Sequence, residues 1–225
     1  MIRLRGVRHR FGERTVLDGI DLDIAERRVG VVGANGSGKS TLVRTLNGLV
    51  VPDAGTVTVD GLDTRRDGPA VRRRVGFVFT DPDAQIVMPT VAEDVGFSLR
   101  RSGLSPAQRA QRVAAVLDRF GLAGHADHPC HLLSGGQKQL LALAAVLVTE
   151  PEVLVLDEPT TLLDLRNARR IRDLVAGLPQ QIVLVTHHLD LLEGFDRVLV
   201  LDEGRVVADG PPERAVPAYE QTLLG

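Results

Sequence analysis

A glycine-rich octapeptide, Gly33-Ala34-Asn35-Gly36-Ser37-Gly38-Lys39-Ser40, has the residue types and spacing of a loop that binds phosphate. Glycines at these positions let backbone N–H groups wrap a phosphate chain, and the helix expected next adds its dipole. Lys39 places a positive charge on the β- and γ-phosphates, and the Ser40 hydroxyl is a ligand for Mg²⁺. The sequence therefore predicts a site for ATP and Mg²⁺ that includes Thr41 and makes Lys39 a candidate catalytic residue.

Two adjacent carboxylates, Asp157 and Glu158, follow the apolar run 153–156. In enzymes with a phosphate loop, an Asp after such a strand orders the ligand shell of Mg²⁺. The neighbouring Glu158 is placed to polarise the water that attacks the γ-phosphate. A solvated strand end also carries such residues, but the phosphate loop in the same chain favours the catalytic interpretation. The pair therefore predicts a hydrolase rather than a protein that only binds nucleotide.

Buried strands must hold these residues in place. Nearly continuous apolar runs, which suit a sheet covered on both faces, occur at 29–32, 75–79, 153–156, 182–185 and 198–201. Helical patterns lie between several of these runs, which predicts an α/β core with a parallel sheet. Alternating patterns at 2–5 and 56–59 predict antiparallel strands, and 202–204 predicts a hairpin turn.

Helix signals accompany the strands. After the phosphate loop, an apolar pattern that predicts a helix comprises Leu42, Val43, Leu46 and Leu49. Further on, Ser105 with Gln108 predicts a capping box, and Gly121 predicts the left-handed stop of the same helix. No strand pattern occurs from about 84 to 148. We therefore expect one domain over residues 1–225, with a helical lobe at 84–148 inserted in the α/β core.

Composition excludes several classes of protein. The chain has 225 residues, of which 44% are hydrophobic and 25% charged, which is typical of a folded globular protein. A net charge of −2 and 3% aromatic residues argue against nucleic acid as a partner. Cys130 is the single cysteine, so no internal disulfide forms, and a cytosolic location is the expectation.

A third motif, Leu133-Ser134-Gly135-Gly136-Gln137, lies between the phosphate loop and the acidic pair. It is identical to the signature of ATP-binding cassette (ABC) ATPases, and the order of the motifs matches that family across essentially the whole chain. The resemblance implies a phosphate-loop NTPase (RecA-like) parallel-sheet core, an antiparallel β subdomain and an inserted α-helical lobe. It also implies ATP hydrolysis coupled to transmembrane transport.

The resemblance assigns roles by position. Phe11 matches the aromatic residue that stacks on adenine, and His187 matches the switch histidine that senses the γ-phosphate. Asp157 resembles the Mg²⁺-organising Asp, and Glu158 the catalytic base. The family works as head-to-tail dimers, since one chain's phosphate loop and signature cannot easily share one ATP. In such a dimer, the residues implied to reach the nucleotide of the opposite subunit are Ser134, Gly135, Gly136, Gln137 and Asp164.

Three positions depart from the family pattern. Thr80 stands where the family has a glutamine after the strand at 75–79, and its hydroxyl cannot span the distance that a glutamine amide does. We nevertheless predict Thr80 to be a Mg²⁺ ligand. His188 replaces a commonly acidic residue, and Leu140 replaces an arginine that often follows the signature.

The segments 79–86 and 90–95 resemble energy-coupling factor (ECF) importers, which take up vitamins or cobalt and nickel ions. The short C-terminus and the segments 180–183 and 194–200 resemble the ATPases of biotin transporters most, with cobalt as the second cargo. The resemblance therefore implies a peripheral protein on the cytoplasmic face of the membrane. Its implied partners are a like ATPase, a transmembrane coupling protein and a substrate-binding membrane subunit.

Other interpretations have weaker support. A soluble ABC ATPase of repair or translation usually carries two cassettes or a long coiled coil, and a nucleotide kinase has no use for the signature. A group of metal-ligand types precedes the signature and comprises His125, Asp127, His128, Cys130 and His131. We interpret it as a loop rather than a metal site, because a coupling ATPase need not touch its cargo.

Overall fold

The computed structural model describes residues 1–224, in two compact units. The first unit combines Met1–Val75, Glu152–Asp157 and the chain from Gln180 onward. The second unit combines Gly76–Pro151 with Glu158–Pro179. The strand β6, Val75–Val78, leads from one unit into the other along the chain. Within residues 1–224, no helix has the length and apolar character required to cross a bilayer.

An antiparallel sheet opens the first unit. Its strands, in the spatial order β2-β1-β4-β5, are β1 (Ile2–Phe11), β2 (Arg14–Ile24), β4 (Ala54–Val59) and β5 (Leu62–Asp63). Along β1 the buried residues Ile2, Leu4 and Val7 alternate with exposed ones, as expected of a sheet with one covered face. The antiparallel strands predicted at 2–5 and 56–59 are confirmed, whereas β2 was not predicted, although its residues 20–24 alternate between apolar residues and aspartates.

The second sheet holds Gly33, where the phosphate loop begins, and Asp157 at one edge. Its strands here, in the spatial order β10-β9-β3-β8-β7, are β3 (Arg28–Gly33), β7 (Val153–Asp157), β8 (Gln181–Val185), β9 (Arg197–Asp202) and β10 (Arg205–Gly210). Strands β9, β3, β8 and β7 run parallel, and β10 returns as the predicted hairpin. Every residue of β3 and of β7 is buried, which explains their continuous apolar sequences. Since parallel strands end at one edge, Gly33 and Asp157 are brought to the same side.

Three helices belong to the first unit: α1 (Lys39–Thr45), α2 (Gly68–Arg74) and α7 (Pro212–Leu224). The prediction of a helical pattern reaching Leu49 was wrong at its end. Helix α1 stops at Thr45, and Leu49 is 47% exposed, while Leu46 at the cap is buried. Gly48 follows with φ 71° and packs close to the backbone of Thr64, so the chain turns before Leu49.

The second unit contributes four helices, α3 (Val91–Ser98), α4 (Pro106–Arg119), α5 (Gly135–Leu147) and α6 (Leu165–Ala176). The predicted start and stop of α4 are confirmed. Ser105 Oγ accepts from Gln108 N at 3.3 Å, and Ser105 N donates to Gln108 Oε1 at 2.8 Å. Gly121 has φ 65°, which suits the residue after a helix C-cap.

Leu154 in β7 is expected to be a main contributor to the stability of the sheet, because its side chain is fully buried. Leu154→Ala should lower the free energy of unfolding by about 2–5 kcal/mol through lost burial and a residual cavity. Leu165→Ala on α6, where the leucine is 66% exposed, is the matched control. Urea unfolding measures both, and equal losses in the two variants would contradict the assignment of β7 to the core.

Candidate active site

The phosphate loop of the first unit has a backbone that only glycine can follow at two points. Gly33 has φ 152°, and a Cβ atom there would lie 2.1 Å from Leu201 O. Gly38 has φ 105°, and a Cβ atom there would lie 2.5 Å from Val16 O. Neighbouring backbone therefore fixes the loop between β3 and α1. Within the loop, Ser37 N donates to Ala34 O at 3.1 Å.

Lys39 begins α1 with its side chain 6% exposed. Its Nζ donates to Gly33 O at 2.8 Å and to Ala34 O at 3.0 Å. These carbonyls belong to the loop itself, so the ammonium is held against the surface that would receive a phosphate. The lysine is thus placed as a point charge for an anion, as the motif predicts.

The carboxylate of Asp157, at the end of β7, is completely buried. Its Oδ1 accepts from Ser40 Oγ at 2.8 Å, and its Oδ2 lies 3.1 Å from Arg44 Nη2. A hydroxyl and a carboxylate in contact are hard oxygen donors of the kind that Mg²⁺ prefers, so these two residues fit that ion. Sequence reasoning missed Arg44, although its i+4 spacing from Ser40 places both on one face of α1.

Phe11 and His187 also lie in the first unit. The Phe11 ring is 58% exposed and meets the His9 ring edge to face, with centroids 4.7 Å apart. An exposed aromatic face of this kind can stack on a nucleobase. His187 follows β8, and its ring lies beside that of His188 with centroids 4.1 Å apart.

A recess of about 360 Å³ adjoins the phosphate loop. Arg14 lines it, and Arg14 Nη2 donates to Gly36 O at 3.1 Å. Within residues 1–224 the buried hydroxyl of Ser37, on the same wall, has no hydrogen-bond partner. Arg14 was not predicted, since an arginine at the start of a strand carries no distinctive signal in so arginine-rich a chain.

Glu158, in the second unit, adopts φ 50°, a left-handed conformation that is costly for a residue with a Cβ atom. Its carboxylate oxygen Oε2 accepts from Thr161 Oγ1 at 2.9 Å. Backbone strain of this kind is concentrated at functional sites, where the surrounding structure maintains it. The geometry therefore agrees with the choice of Glu158 as the residue to test for catalysis.

The signature segment forms the start of α5. Ser134 is the N-cap, and a close approach occurs at Gly136, where a Cβ atom would lie 2.4 Å from the side chain of Asn167. Asp164 binds the same Asn167, because Asp164 Oδ1 accepts from Asn167 N at 2.8 Å and Oδ2 from Asn167 Nδ2 at 3.0 Å. The structure thus brings the signature and Asp164 together, which sequence separation alone did not indicate.

Thr80 follows a backbone segment that two glutamines clamp. Gln85 Oε1 accepts from Phe79 N at 3.2 Å, while Gln85 Nε2 donates to Ala142 O at 3.1 Å. Gln139 Nε2 donates to Phe79 O at 3.3 Å. The backbone N–H and C=O of Phe79, the residue before Thr80, are therefore both hydrogen-bonded, and the role of Thr80 as a Mg²⁺ ligand stays a prediction.

The histidine and cysteine group before the signature has the residue types of a metal site. Within residues 1–224, no three side chains of the His, Cys, Asp and Glu types are arranged to hold a metal ion. Burial raises the pKa of the Cys130 thiol, and the negative charges of Asp94 and Glu93 raise it further. Cys130 is therefore a thiol at pH 7 rather than the thiolate that binds metals.

The predicted site residues divide between the two units. The first unit holds Phe11, the loop residues 33–41, Asp157 and His187, and the second holds Thr80, the signature 134–137, Glu158 and Asp164. Taken alone, the first set offers a phosphate cradle, a lysine charge and a pair of Mg²⁺-type oxygens. These are the components needed to bind a nucleoside triphosphate.

A family model described as ABC transporter matches residues 17–161. That span exceeds half of the chain and includes the phosphate loop, the signature and the Asp157–Glu158 pair. The chain therefore belongs to the ABC transporter family. It is an ATPase of that family, and the predicted ABC ATPase fold is confirmed.

Three similar proteins are named as ATP-binding proteins of transporters. The biotin transport ATP-binding protein BioM of Rhizobium etli is 47% identical over 94% of both chains. The cobalt import ATP-binding protein CbiO of Syntrophus aciditrophicus is 43% identical over 95% of this chain and 79% of its own. The energy-coupling factor transporter ATP-binding protein EcfA1 of Symbiobacterium thermophilum is 46% identical over 88% of this chain and 72% of its own.

Solved structures show the same fold. CbiO1 of Clostridium perfringens, part of the transporter complex CbiONQ, has a TM-score of 0.84 and 34% identity, covering 99% of this chain and 92% of its own. The ATP-binding cassette MJ0796, solved as a dimer bound to ADP and phosphate after hydrolysis, also has a TM-score of 0.84, with 29% identity. It covers 94% of this chain and 99% of its own.

Arg44 should stabilise the protein through Asp157. Removing the guanidinium in Arg44→Ala takes a charged partner from a buried carboxylate, so the free energy of unfolding should fall by about 1–2 kcal/mol. Arg166→Ala, at an exposed arginine of α6, is the matched control and should change stability little. Chemical unfolding without nucleotide measures both variants. An unchanged free energy of unfolding in Arg44→Ala would show that the contact with Asp157 does not contribute to stability.

Proposed function

We propose that this chain is the ATP-binding and ATP-hydrolysing subunit of an ECF-type ABC importer that powers the uptake of biotin. The contact between Ser40 and Asp157 beside the phosphate loop carries the proposal for ATP, because it supplies paired oxygen ligands where Lys39 supplies a phosphate-binding charge. The similarity to BioM over 94% of both chains supports biotin as the cargo.

The residues have separate tasks in this proposal. Backbone N–H groups of the phosphate loop, with Lys39, bind the phosphate chain, and Phe11 stacks on the adenine. Ser40 and Asp157 would hold Mg²⁺, with Thr80 as a further ligand, and the ion would neutralise charge on the phosphates when bound. Glu158 accepts a proton from the attacking water. His187 donates a hydrogen bond to the γ-phosphate, which stabilises the charge that develops there.

The proposed assembly is a head-to-tail dimer of this chain, or of this chain with a like ATPase. In it, the residues of the signature and Asp164 complete the site of the opposite subunit. The dimer of the ATP-binding cassette MJ0796, which shares this fold, supports that arrangement. A transmembrane coupling protein and a substrate-binding membrane subunit are the proposed partners at the cytoplasmic face of the membrane.

A cobalt or nickel importer, or an importer of another vitamin, is the second candidate. The similarity to CbiO of Syntrophus aciditrophicus over 95% of this chain favours cobalt within that group. Because the cargo binds another subunit, residues of this chain distinguish the two only through resemblance. A soluble ABC ATPase that is not coupled to transport has less support, since the similar proteins above carry transport names.

Uptake in cells tests the proposal. The chain and its membrane partners are expressed in a host that lacks its own biotin and cobalt uptake, and accumulation of radiolabelled biotin and Co²⁺ is measured. Biotin uptake that Glu158→Gln abolishes is the expected result. Co²⁺ uptake alone would assign the second candidate, and uptake that is unaffected by Glu158→Gln would overturn the coupling to ATP.

Glu158→Gln should bind ATP as the wild-type protein does but hydrolyse it at least 100-fold more slowly, because general-base catalysis contributes about 10²–10⁴-fold. The stalled protein should accumulate as an ATP-bound dimer on a sizing column. Lys39→Ala is the contrasting variant and should lose ATP binding itself, since the phosphates lose their main point charge. Hydrolysis by Glu158→Gln at the wild-type rate would contradict the assignment of the base.

A composite site predicts recovery of activity on mixing. Ser134→Ala should bind nucleotide without hydrolysing it, and Lys39→Ala should lack binding. A mixed dimer of the two then contains one intact site, in which the Lys39 of one chain faces the Ser134 of the other. ATPase activity in the mixture above the sum of the separate variants is expected, and a mixture with no gain at any ratio counts against the composite site.

A further inference from the structure

The side-chain amide of Gln137 has a defined orientation at the start of α5. Ser134 N donates to Gln137 Oε1 at 2.9 Å, while Gln137 N donates to Ser134 Oγ at 3.3 Å. A backbone N–H can only donate, so the atom that it meets must be the amide oxygen. The other end of the amide, Nε2, is therefore the NH₂ group and can only donate.

His125 lies against that NH₂ group. Its Nε2 is 3.1 Å from Gln137 Nε2, which is hydrogen-bonding distance. Since the amide nitrogen donates, the ring nitrogen must accept, and a histidine accepts through Nε2 only when it is neutral with its proton on Nδ1. Within residues 1–224 that buried Nδ1 has no hydrogen-bond partner, so the hydrogen bond that holds the ring there is the one to Gln137.

We propose that neutral His125 is a positioning residue for the signature: it accepts from Gln137, which in turn fixes the backbone of Ser134. The inference rests on the proposed function, in which the Ser134 hydroxyl meets ATP of the opposite subunit. A serine at an N-cap has its backbone set by the capping box, so the hydroxyl direction depends on the Gln137 amide. The charge of His125 then affects the orientation of Ser134, which the signature contributes to the proposed site of the opposite subunit.

Protonation of His125 puts an N–H against the NH₂ of Gln137. The amide then turns over to present its oxygen to the ring, and its NH₂ meets the N–H of Ser134, so the capping box opens. Histidine is the side chain that ordinarily changes charge between pH 5 and 8. The loop of His125 also carries Asp127, His128 and His131, and the His128 ring lies 5.0 Å from that of His125 between centroids. Helix α4, which packs against this loop, carries Arg109, Arg112, Asp118 and Arg119, and α5 carries Lys138 next to Gln137.

A series of variants separates acceptance of a hydrogen bond from other effects. His125→Gln offers an oxygen near the position of the ring nitrogen and cannot titrate, so at pH 8 its ATPase rate should stay within about twofold of wild type. His125→Leu removes the acceptor and should lose about two- to tenfold, the range of one neutral hydrogen bond. His125→Lys imposes a permanent donor and should lose more than His125→Leu.

The pH profile is the decisive readout. As the pH is lowered from 8, the ratio of the wild-type ATPase rate to that of His125→Gln should fall at least threefold once the ring binds a proton, because only the wild type can gain the opposing charge. His131→Gln, at an exposed histidine of the same loop, is the matched control and should keep the wild-type profile. Equal profiles for wild type and His125→Gln would overturn the inference.

Two further measurements distinguish this failure from that of the proposed function. Full hydrolysis by Ser134→Ala would overturn the proposed role of the signature, and the inference with it. A deficient Ser134→Ala beside a fully active His125→Leu would overturn the inference alone. Nitrogen NMR of labelled histidine at pH 8 should show His125 protonated at Nδ1, and a proton on Nε2 would also overturn it.

Discussion

The buried carboxylate of Asp157 imposes the central constraint on the first unit. A charge removed from water is tolerated only with partners that satisfy it, and here Ser40 and Arg44 supply them from the same face of α1. Helix α1 must therefore begin close to the end of β7. The loop that connects β3 to α1 passes so near Leu201 and Val16 that a side chain at Gly33 or Gly38 would collide with their backbone.

In the second unit, capping boxes stabilise the starts of three helices, α3, α4 and α5. Thr90 with Glu93, Ser105 with Gln108, and Ser134 with Gln137 each satisfy N–H groups that a helix start leaves open. At α4 the motif only fixes a helix. At α5 the same interaction also orients a serine proposed to meet nucleotide, so one local preference serves both folding and chemistry.

Motifs with a local physical cause were predictable from sequence. The phosphate loop, the apolar strands of the parallel sheet and both ends of α4 follow from spacing, burial pattern and capping, and the structure has them. The end of α1 was placed too far along because Leu49 keeps the helical period while Gly48 turns the chain. Strand β2 was missed, although residues 20–24 alternate between apolar residues and aspartates.

Contacts between residues distant in sequence could not be predicted from sequence patterns. Nothing in the spacing of Arg44 and Asp157, or of Gly136 and Asn167, indicates that they meet, because tertiary packing alone creates these pairs. The roles of His187 and Asp164 came only from resemblance to a family. The contact of His125 with Gln137 has no sequence signal, since residues of both types commonly occur as solvated polar groups.

The left-handed backbone at Glu158 places protein stability and catalytic turnover in conflict at this position. A glycine there would release about 1–2 kcal/mol of conformational cost, and asparagine would release part of it. Selection for heat resistance alone would therefore drive this position away from glutamate, whereas selection for turnover would retain it. Consensus or computational stabilisation of this protein has to hold position 158 fixed, because the residue that the backbone conformation disfavours is the one proposed as the catalytic base.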